Sequence, residues 1–223
     1  MDLRTSLEFL ARLAENNNRE WFNANRGLYD RARDEFLHLV AALVPALRAI
    51  DPSIAMVEPE KCLFRIFRDV RFSKDKSPYK TNFGAFIANG GRKSPFAGYY
   101  VHMEPGSSFV GGGAYMPAPP SLKAIRLKIF DNPREYREII SDPEFESCFG
   151  GIFGERLKHA PRDFPKDFPD IDLLRNRHYA VIHKVADEFW SREDLPEAIA
   201  GICRVLEPFN RFLNEAIATV SEA

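Results

Sequence analysis

Between residues 62 and 113 the apolar residues stop following helical spacing and begin to alternate, with Gly and Pro where turns are needed. From Gly98 to Glu104, Tyr99, Val101 and Met103 alternate with Tyr100, His102 and Glu104, so an apolar face backs a more polar one. Thr81 to Ala88 places Phe83, Ala85 and Ile87 on one face, Leu63 to Phe67 reads as another strand, and Ser108 to Gly113 returns after Pro105-Gly106. Connections as short as Asn89-Gly90-Gly91 and Pro105-Gly106 join antiparallel neighbours and leave no room for a crossover helix. An antiparallel meander within about 62–113 is therefore the central element.

Such a sheet needs cover, and helical patterns flank it on both sides. Thr5 and Glu8 have capping-box spacing ahead of Leu7, Leu10, Leu13 and Ala14, which predicts a helix over about 5–15, ended by Asn16-Asn17-Asn18. A short aromatic turn at Trp21 and Phe22 follows. From Tyr29, the positions Ala32, Phe36, Val40, Leu43, Leu47 and Ile50 describe a long amphipathic helix that Pro45 should kink or end early. Beyond the proline-rich stretch 116–120, Leu122, Ile125, Leu127 and Ile129, then Tyr136 and Ile140, predict short helices. Residues 158–170 read as an ordered irregular loop, and His178 to Ile182 as one more strand. Ser191 and Asp194 open a last helix with Leu195, Ile199, Ile202, Leu206, Leu213 and Ile217 on its buried stripe, bent or split at Pro208. The fold class is α+β, a single domain over 1–223 with a mostly antiparallel sheet covered by N- and C-terminal helices.

Composition removes several classes. Hydrophobic residues make up 45% of the chain, and its 19 Phe must be buried, which excludes a disordered protein. The longest apolar run, Leu39 to Leu47, has nine residues and contains Pro45, too short for a bilayer span, so no membrane partner is expected. The Met-Asp-Leu-Arg-Thr start lacks the features of a secretory signal, and the expected location is cytoplasmic. Cys62, Cys148 and Cys203 are odd in number and far apart, which argues against a disulfide framework. With no CxxC and no HExxH, no metal is expected. Gly111-Gly112-Gly113 fits neither GxGxxG nor a P-loop and reads as a bulge or a close backbone contact, and no cofactor is expected.

The formal net charge of −1 conceals a segregation. Residues 65–80 hold six cations against Asp69 and Asp75, a local +4 that leaves −5 for the rest. Arg matches phosphate and carboxylate oxygens with a planar fork, Lys supplies a point charge, and Ser, Thr and Tyr add neutral donors. The candidate ligand contacts are thus Arg65, Arg68, Arg71, Ser73, Lys74, Lys76, Tyr79, Lys80 and Thr81, and the leading expectation is a phosphate-bearing or other anionic ligand. Two alternatives use the same block. One is a nucleic-acid-binding or protein-docking module with Phe72 and Tyr79 as stacking surfaces, which the net charge does not favour; the other is a purely structural, salt-bridged loop. The candidates for acid–base chemistry are His102 and Glu104, with Tyr100 on the same strand face. His-x-Glu also occurs in zinc deaminases, but no Pro-Cys-x-x-Cys follows here. The polar knot at Asn16, Asn17, Arg19, Glu20 and Trp21 and the loop Lys158 to Phe164 are possible additions to an anion site.

These residues also carry a resemblance. Phe9-Leu10, Asn16-Asn17, Arg19-Glu20-Trp21-Phe22 and above all Arg65-Ile66-x-Arg68-Asp69-x-Arg71-Phe72-Ser73-Lys74-Asp75-Lys76-x-Pro78-Tyr79-Lys80-Thr81 resemble the family called domain of unknown function 2461. Ala97-Gly98-Tyr99-Tyr100, the glycine run before Pro117, Leu157-Lys158 and Pro161-Arg162 extend it over nearly the whole chain. At 163 the chain has Asp where the family pattern favours Gly. The resemblance implies a single α+β domain of a kind found in bacteria and fungi, and it implies no activity, cofactor or partner.

Overall fold

Four strands, β1 (Phe83–Ile87), β2 (Gly98–Met103), β3 (Phe109–Ala114) and β4 (Tyr179–Lys184), pair antiparallel in the order β1-β2-β3-β4. They belong to a computed structural model that describes residues 1–54 and 56–221. The first three are the expected meander, with Phe83 opposite Met103 and Tyr100 opposite Gly111. The fourth adds to the edge of β3, with Ile182 opposite Gly111, so the sheet reaches well beyond residue 113. Leu63 to Phe67 is not a strand. It makes isolated bridges from Leu63 to Ala85 and from Phe67 to Tyr79. The chain touches the β1 edge through Phe64 N–H, which donates to Gly84 O at 2.9 Å. It then turns to pair with residues 78–80, where Lys80 N–H donates to Ile66 O at 2.8 Å.

Helices α1 (Arg4–Glu15), α2 (Arg19–Ala24), α3 (Arg26–Ile50) and α4 (Pro59–Cys62) precede the sheet. Between β3 and β4 lie α5 (Pro119–Asp131), α6 (Pro133–Ile140), α7 (Pro143–Phe149) and α8 (Ile171–Leu174), and α9 (Leu195–Ser221) closes the described chain. Three local expectations are corrected. The first helix is tied at its start by Asp2, whose carboxylate accepts from Arg4 N–H at 3.0 Å, rather than by Thr5. The aromatic turn at Trp21 is helical, because Asn18 Oδ1 accepts Trp21 N–H at 2.9 Å and caps α2. Ser191 closes a 3-10 turn, its hydroxyl donating to Glu188 O at 2.8 Å, instead of opening α9. Both α3 and α9 run on through Pro45 and Pro208. The carbonyls that lose their helical donors belong to Ala41 and Arg204, two exposed residues, so water can satisfy them.

The two faces of the sheet are unlike. Phe83, Ala85, Ile87, Tyr99, Val101, Met103 and Val110 are buried on one, where α3 packs against β1 and α9 against β3. Contact with α9 is close enough to require glycine. A Cβ on Gly112 would stand 2.0 Å from Gly98 O and 2.7 Å from a Leu206 methyl. Two asparagines of α9 also fix where β2 begins. Asn214 pairs with both backbone groups of Ala97, at 2.7 and 3.1 Å, and Asn210 donates to Gly98 O at 3.1 Å. The three cysteines are free thiols; burial pushes Cys62 up to about 11 and Cys203 higher still.

Candidate ligand-binding site

The opposite face of the sheet carries Gly84, Phe86, Tyr100, His102, Phe109, Gly111, Gly113, Ala180 and Ile182, and a cavity of about 760 Å³ opens over it. Its lining comes from strands and loops alone. The β1–β2 loop contributes Arg92 to Phe96, the β3–α5 connection Tyr115 to Ala118, and Phe64 and Phe153 stand at the sides. Glycines at 111 and 113 leave the floor low, and the size lies within the usual range for small-molecule pockets. Met116, at the mouth, has φ +48, an uncommon conformation for a non-glycine residue. It is held by its N–H, which donates to His178 Nδ1 at 3.1 Å, while Tyr115 stacks on the same imidazole at 4.8 Å.

The cavity wall is cationic. Arg92 and Lys93 line it beside the His102 imidazole, and among the described residues no carboxylate does. Lys80 Nζ and the Arg92 guanidinium lie 5.3 and 5.0 Å from the centroid of the Phe64 ring. Burial, and then the charges of Arg65 and Arg92, lower the Lys80 ammonium from the ordinary lysine value. Arg92 Nε is buried without a hydrogen-bond partner among the described residues. Four cations, Arg65, Lys80, Arg92 and Lys93, thus collect at one side of the sheet; none forms an ion pair among the described residues, and only Arg65 lies near an acid, Asp69, whose carboxyl it helps to lower. Like charges held together with no ion-pair partner are costly unless an anion shares the space.

The basic block divides in two. Its tip is internally tied: Arg68 pairs with Asp75 and donates to Ser77 O at 3.2 Å, Arg71 pairs with Asp69 at 2.7 Å, and Lys76 Nζ donates to Val70 O at 3.0 Å. Ser73 Oγ lies 3.5 Å from the Arg68 guanidinium, and Lys74 is exposed. Hydrogen bonds from Ser77, followed by the one from Arg68, hold the Asp75 carboxyl well below the usual range. Tyr79 is 4% exposed, its ring stacked on Phe22 at 3.9 Å. Asn17 clamps it, donating to Tyr79 O at 2.9 Å and accepting Tyr79 N–H at 3.1 Å, so the polar knot near residue 17 anchors the base of the block. Thr81 turns inward and donates to Glu104 Oε1 at 2.6 Å. Arg65 and Lys80 form no ion pair among the described residues, although the Arg65 charge reaches Asp69. The 158–164 loop is fixed elsewhere, by Lys123 on Asp163 at 3.0 Å and Phe164 against Phe130.

Tyr100, His102 and Glu104 do form a connected row. Tyr100 Oη is 3.1 Å from His102 Nδ1, and His102 Nε2 is 3.1 Å from Glu104 Oε2. The imidazole stacks on Phe109 at 4.5 Å, and Asn82 Nδ2 stands 3.4 Å from Nδ1. Burial, reinforced by the Glu104 charge, pushes the Tyr100 phenol up to about 12. Sequence reasoning did not single out Arg92, Lys93 or Phe64 as site residues; the signal for the first two was a basic pair directly after Gly90-Gly91.

Fold and cavity together define an α+β protein built on a four-stranded antiparallel meander, with one face under helices and the other open to a cation-lined pocket. The chain belongs to the family described as conserved hypothetical protein DUF2461, which it matches over residues 5–212. No curated protein and no solved structure matches it.

Proposed function

We propose that the protein binds a small organic anion, with a phosphate, sulfonate or carboxylate head and an apolar body, in the cavity on the open sheet face. One observation carries this reading: a cavity of about 760 Å³ lined by aromatics, Arg92, Lys93 and His102, and by no carboxylate among the described residues. Arg65 and Lys80, at the two ends of the basic block, add charge on the Phe64 side, whereas Arg68 and Arg71 at its tip are paired with Asp75 and Asp69. Calorimetry with naphthalene-2-sulfonate, 2-naphthyl phosphate and neutral 2-naphthol tests it. The two anions are expected to bind about tenfold or more tightly than the neutral compound. Arg92→Ala should weaken them by a similar factor, and Arg71→Ala should leave them unchanged. Equal affinity for neutral and anionic probes, or an inert Arg92→Ala, refutes the assignment.

A second reading has its own observation. Phe72 is 94% exposed at the tip of the block, with the Arg71 guanidinium 5.8 Å from its ring and Lys74 nearby in sequence. This suits a tip that docks on a nucleic-acid strand. Binding of oligonucleotides that falls steeply with salt and is lost in Phe72→Ala supports it; no binding at low ionic strength removes it. We place the protein in the cytoplasm, a location supported by its three free thiols.

A further inference from the structure

We propose that Tyr100, His102 and Glu104 make anion binding proton-coupled: His102 takes up a proton as the anion enters, and Tyr100 turns its hydroxyl hydrogen from the imidazole to the ligand. The inference rests on the anion site proposed above and adds its chemistry. Glu104 sets the direction of the row. Its Oε1 accepts from Thr81 at 2.6 Å and its Oε2 faces His102 Nε2 at 3.1 Å. A carboxylate has no hydrogen to give, so Nε2 carries the imidazole hydrogen and Nδ1 offers its lone pair. Tyr100 and the longer Asn82 contact then both donate to Nδ1. In that state Tyr100 has spent its one hydrogen and presents only lone pairs to the cavity, which repel an anion.

A proton added at Nδ1 reverses the bond. Nδ1–H donates to Tyr100 Oη, the Asn82 donor is displaced, and the phenolic hydrogen is free to point at a ligand oxygen. The phenol, pushed up to about 12 by burial and by Glu104, keeps its own hydrogen throughout, so one proton enters and none leaves. The charges around the imidazole provide the coupling. Glu104, on its own strand, faces Nε2 at 3.1 Å. Gly84 of β1 and the neutral Asn82 just before it face the ring, as does the Phe109 ring of β3, with Lys184 opposite Phe109 on β4. Arg92 and Lys93 of the cavity lining, with Lys80 beside Arg92 at the Phe64 ring, oppose a further positive charge until an anion offsets them. Tyr100 meets Phe64, the ring beside Lys80 and Arg92, edge to face at 6.0 Å, so phenol and cations share one stretch of wall.

The sequence makes room for this arrangement at Gly84. A Cβ there would stand 2.6 Å from Tyr100 Oη. Any other residue would push the hydroxyl from its place over the strand, beside His102.

Naphthalene-2-sulfonate keeps a constant charge between pH 6 and 8, so any proton exchanged on binding belongs to the protein. Calorimetry in buffers of different ionisation enthalpy is expected to show about half a proton or more taken up per ligand near pH 7, and binding about tenfold tighter at pH 6 than at pH 8. Tyr100→Phe should keep the pH 8 affinity and lose most of the gain at pH 6; a merely structural role would weaken both alike. Binding without proton uptake, at one affinity across this range, overturns the coupling and leaves the anion site standing. Absence of binding at every pH overturns both. Nitrogen-15 NMR of the free protein supplies a check that needs no variant: neutral His102 should carry its hydrogen on Nε2, and an Nδ1–H tautomer refutes the relay.

Discussion

Tyr99 and Tyr100 are adjacent residues of one strand and face opposite sides of the sheet. Tyr99 is fully buried under the helices, and its hydroxyl donates to Asp51 Oδ2 at 3.1 Å, at the end of α3. Burial, then the Asp51 charge, holds that phenol far above its ordinary value. Tyr100 is half-buried at a cavity wall and its hydroxyl meets a titratable imidazole. The same side chain therefore ties helix to sheet on one face and borders a binding space on the other. What differs is the cover: α3 and α9 fill one side to close contact, while glycines and loops leave the other open.

This contrast can be attacked first where packing is tightest. Gly112→Val places carbons on Gly98 O and Leu206, and is expected to cost about 3 kcal/mol or more, read as a lower urea midpoint. A Gly112→Val protein with unchanged stability would mean that α9 does not rest on the β3 backbone. Next come neighbours on opposite faces. Met103→Ala should cost about 2–5 kcal/mol because it leaves a cavity in the core, whereas His102→Gln should cost under about 1 kcal/mol. Similar losses would erase the distinction between the faces. The two tyrosines sharpen it further. Tyr99→Phe removes a buried donor to Asp51, with an expected loss of about 1 kcal/mol, and Tyr100→Phe should change stability by about 0.5 kcal/mol or less while altering ligand affinity.

The smallest effect belongs to the self-tied tip. Asp69, held by Arg71, and Asp75, held by Ser77 and Arg68, both sit below the ordinary carboxylate value. A carboxyl depressed on folding contributes stability above its unfolded value and loses it as the pH falls through the folded one. The stability gap between the wild type and Asp75→Asn should thus be small at pH 7, because the pair is solvent-exposed, and should narrow from pH 4 towards pH 2. A gap that widens on acidification contradicts the pairing.

Much of the fold was legible because alternation and helical spacing are local. The three strands of the meander, the first helix and the long stripes of α3 and α9 follow from which residues must turn inward. Leu63 to Phe67 misled for a physical reason: a short apolar run broken only by Arg65 reads as a strand, but the chain keeps a neighbour in the sheet only as far as Phe64. The prolines misled as well, since a missing helical bond is cheap where the orphaned carbonyl faces water. At the site, the row Tyr100, His102 and Glu104 was visible because one strand face carries it.

Charge was the harder property to read. The sequence alone determines that six cations crowd into residues 65–80 of a nearly neutral chain, and that a sheet with one apolar and one polar face lies beside them. Only the tertiary structure decides which of those charges are spent. Arg68 and Arg71 find acids within a few residues, so their neutralisation is local, but Lys80 meets Arg92, from a separate segment, at the Phe64 ring, with the Arg65 charge near it. Electrostatic energy depends on distances in space and on the water excluded between charges, and neither is written in the order of residues.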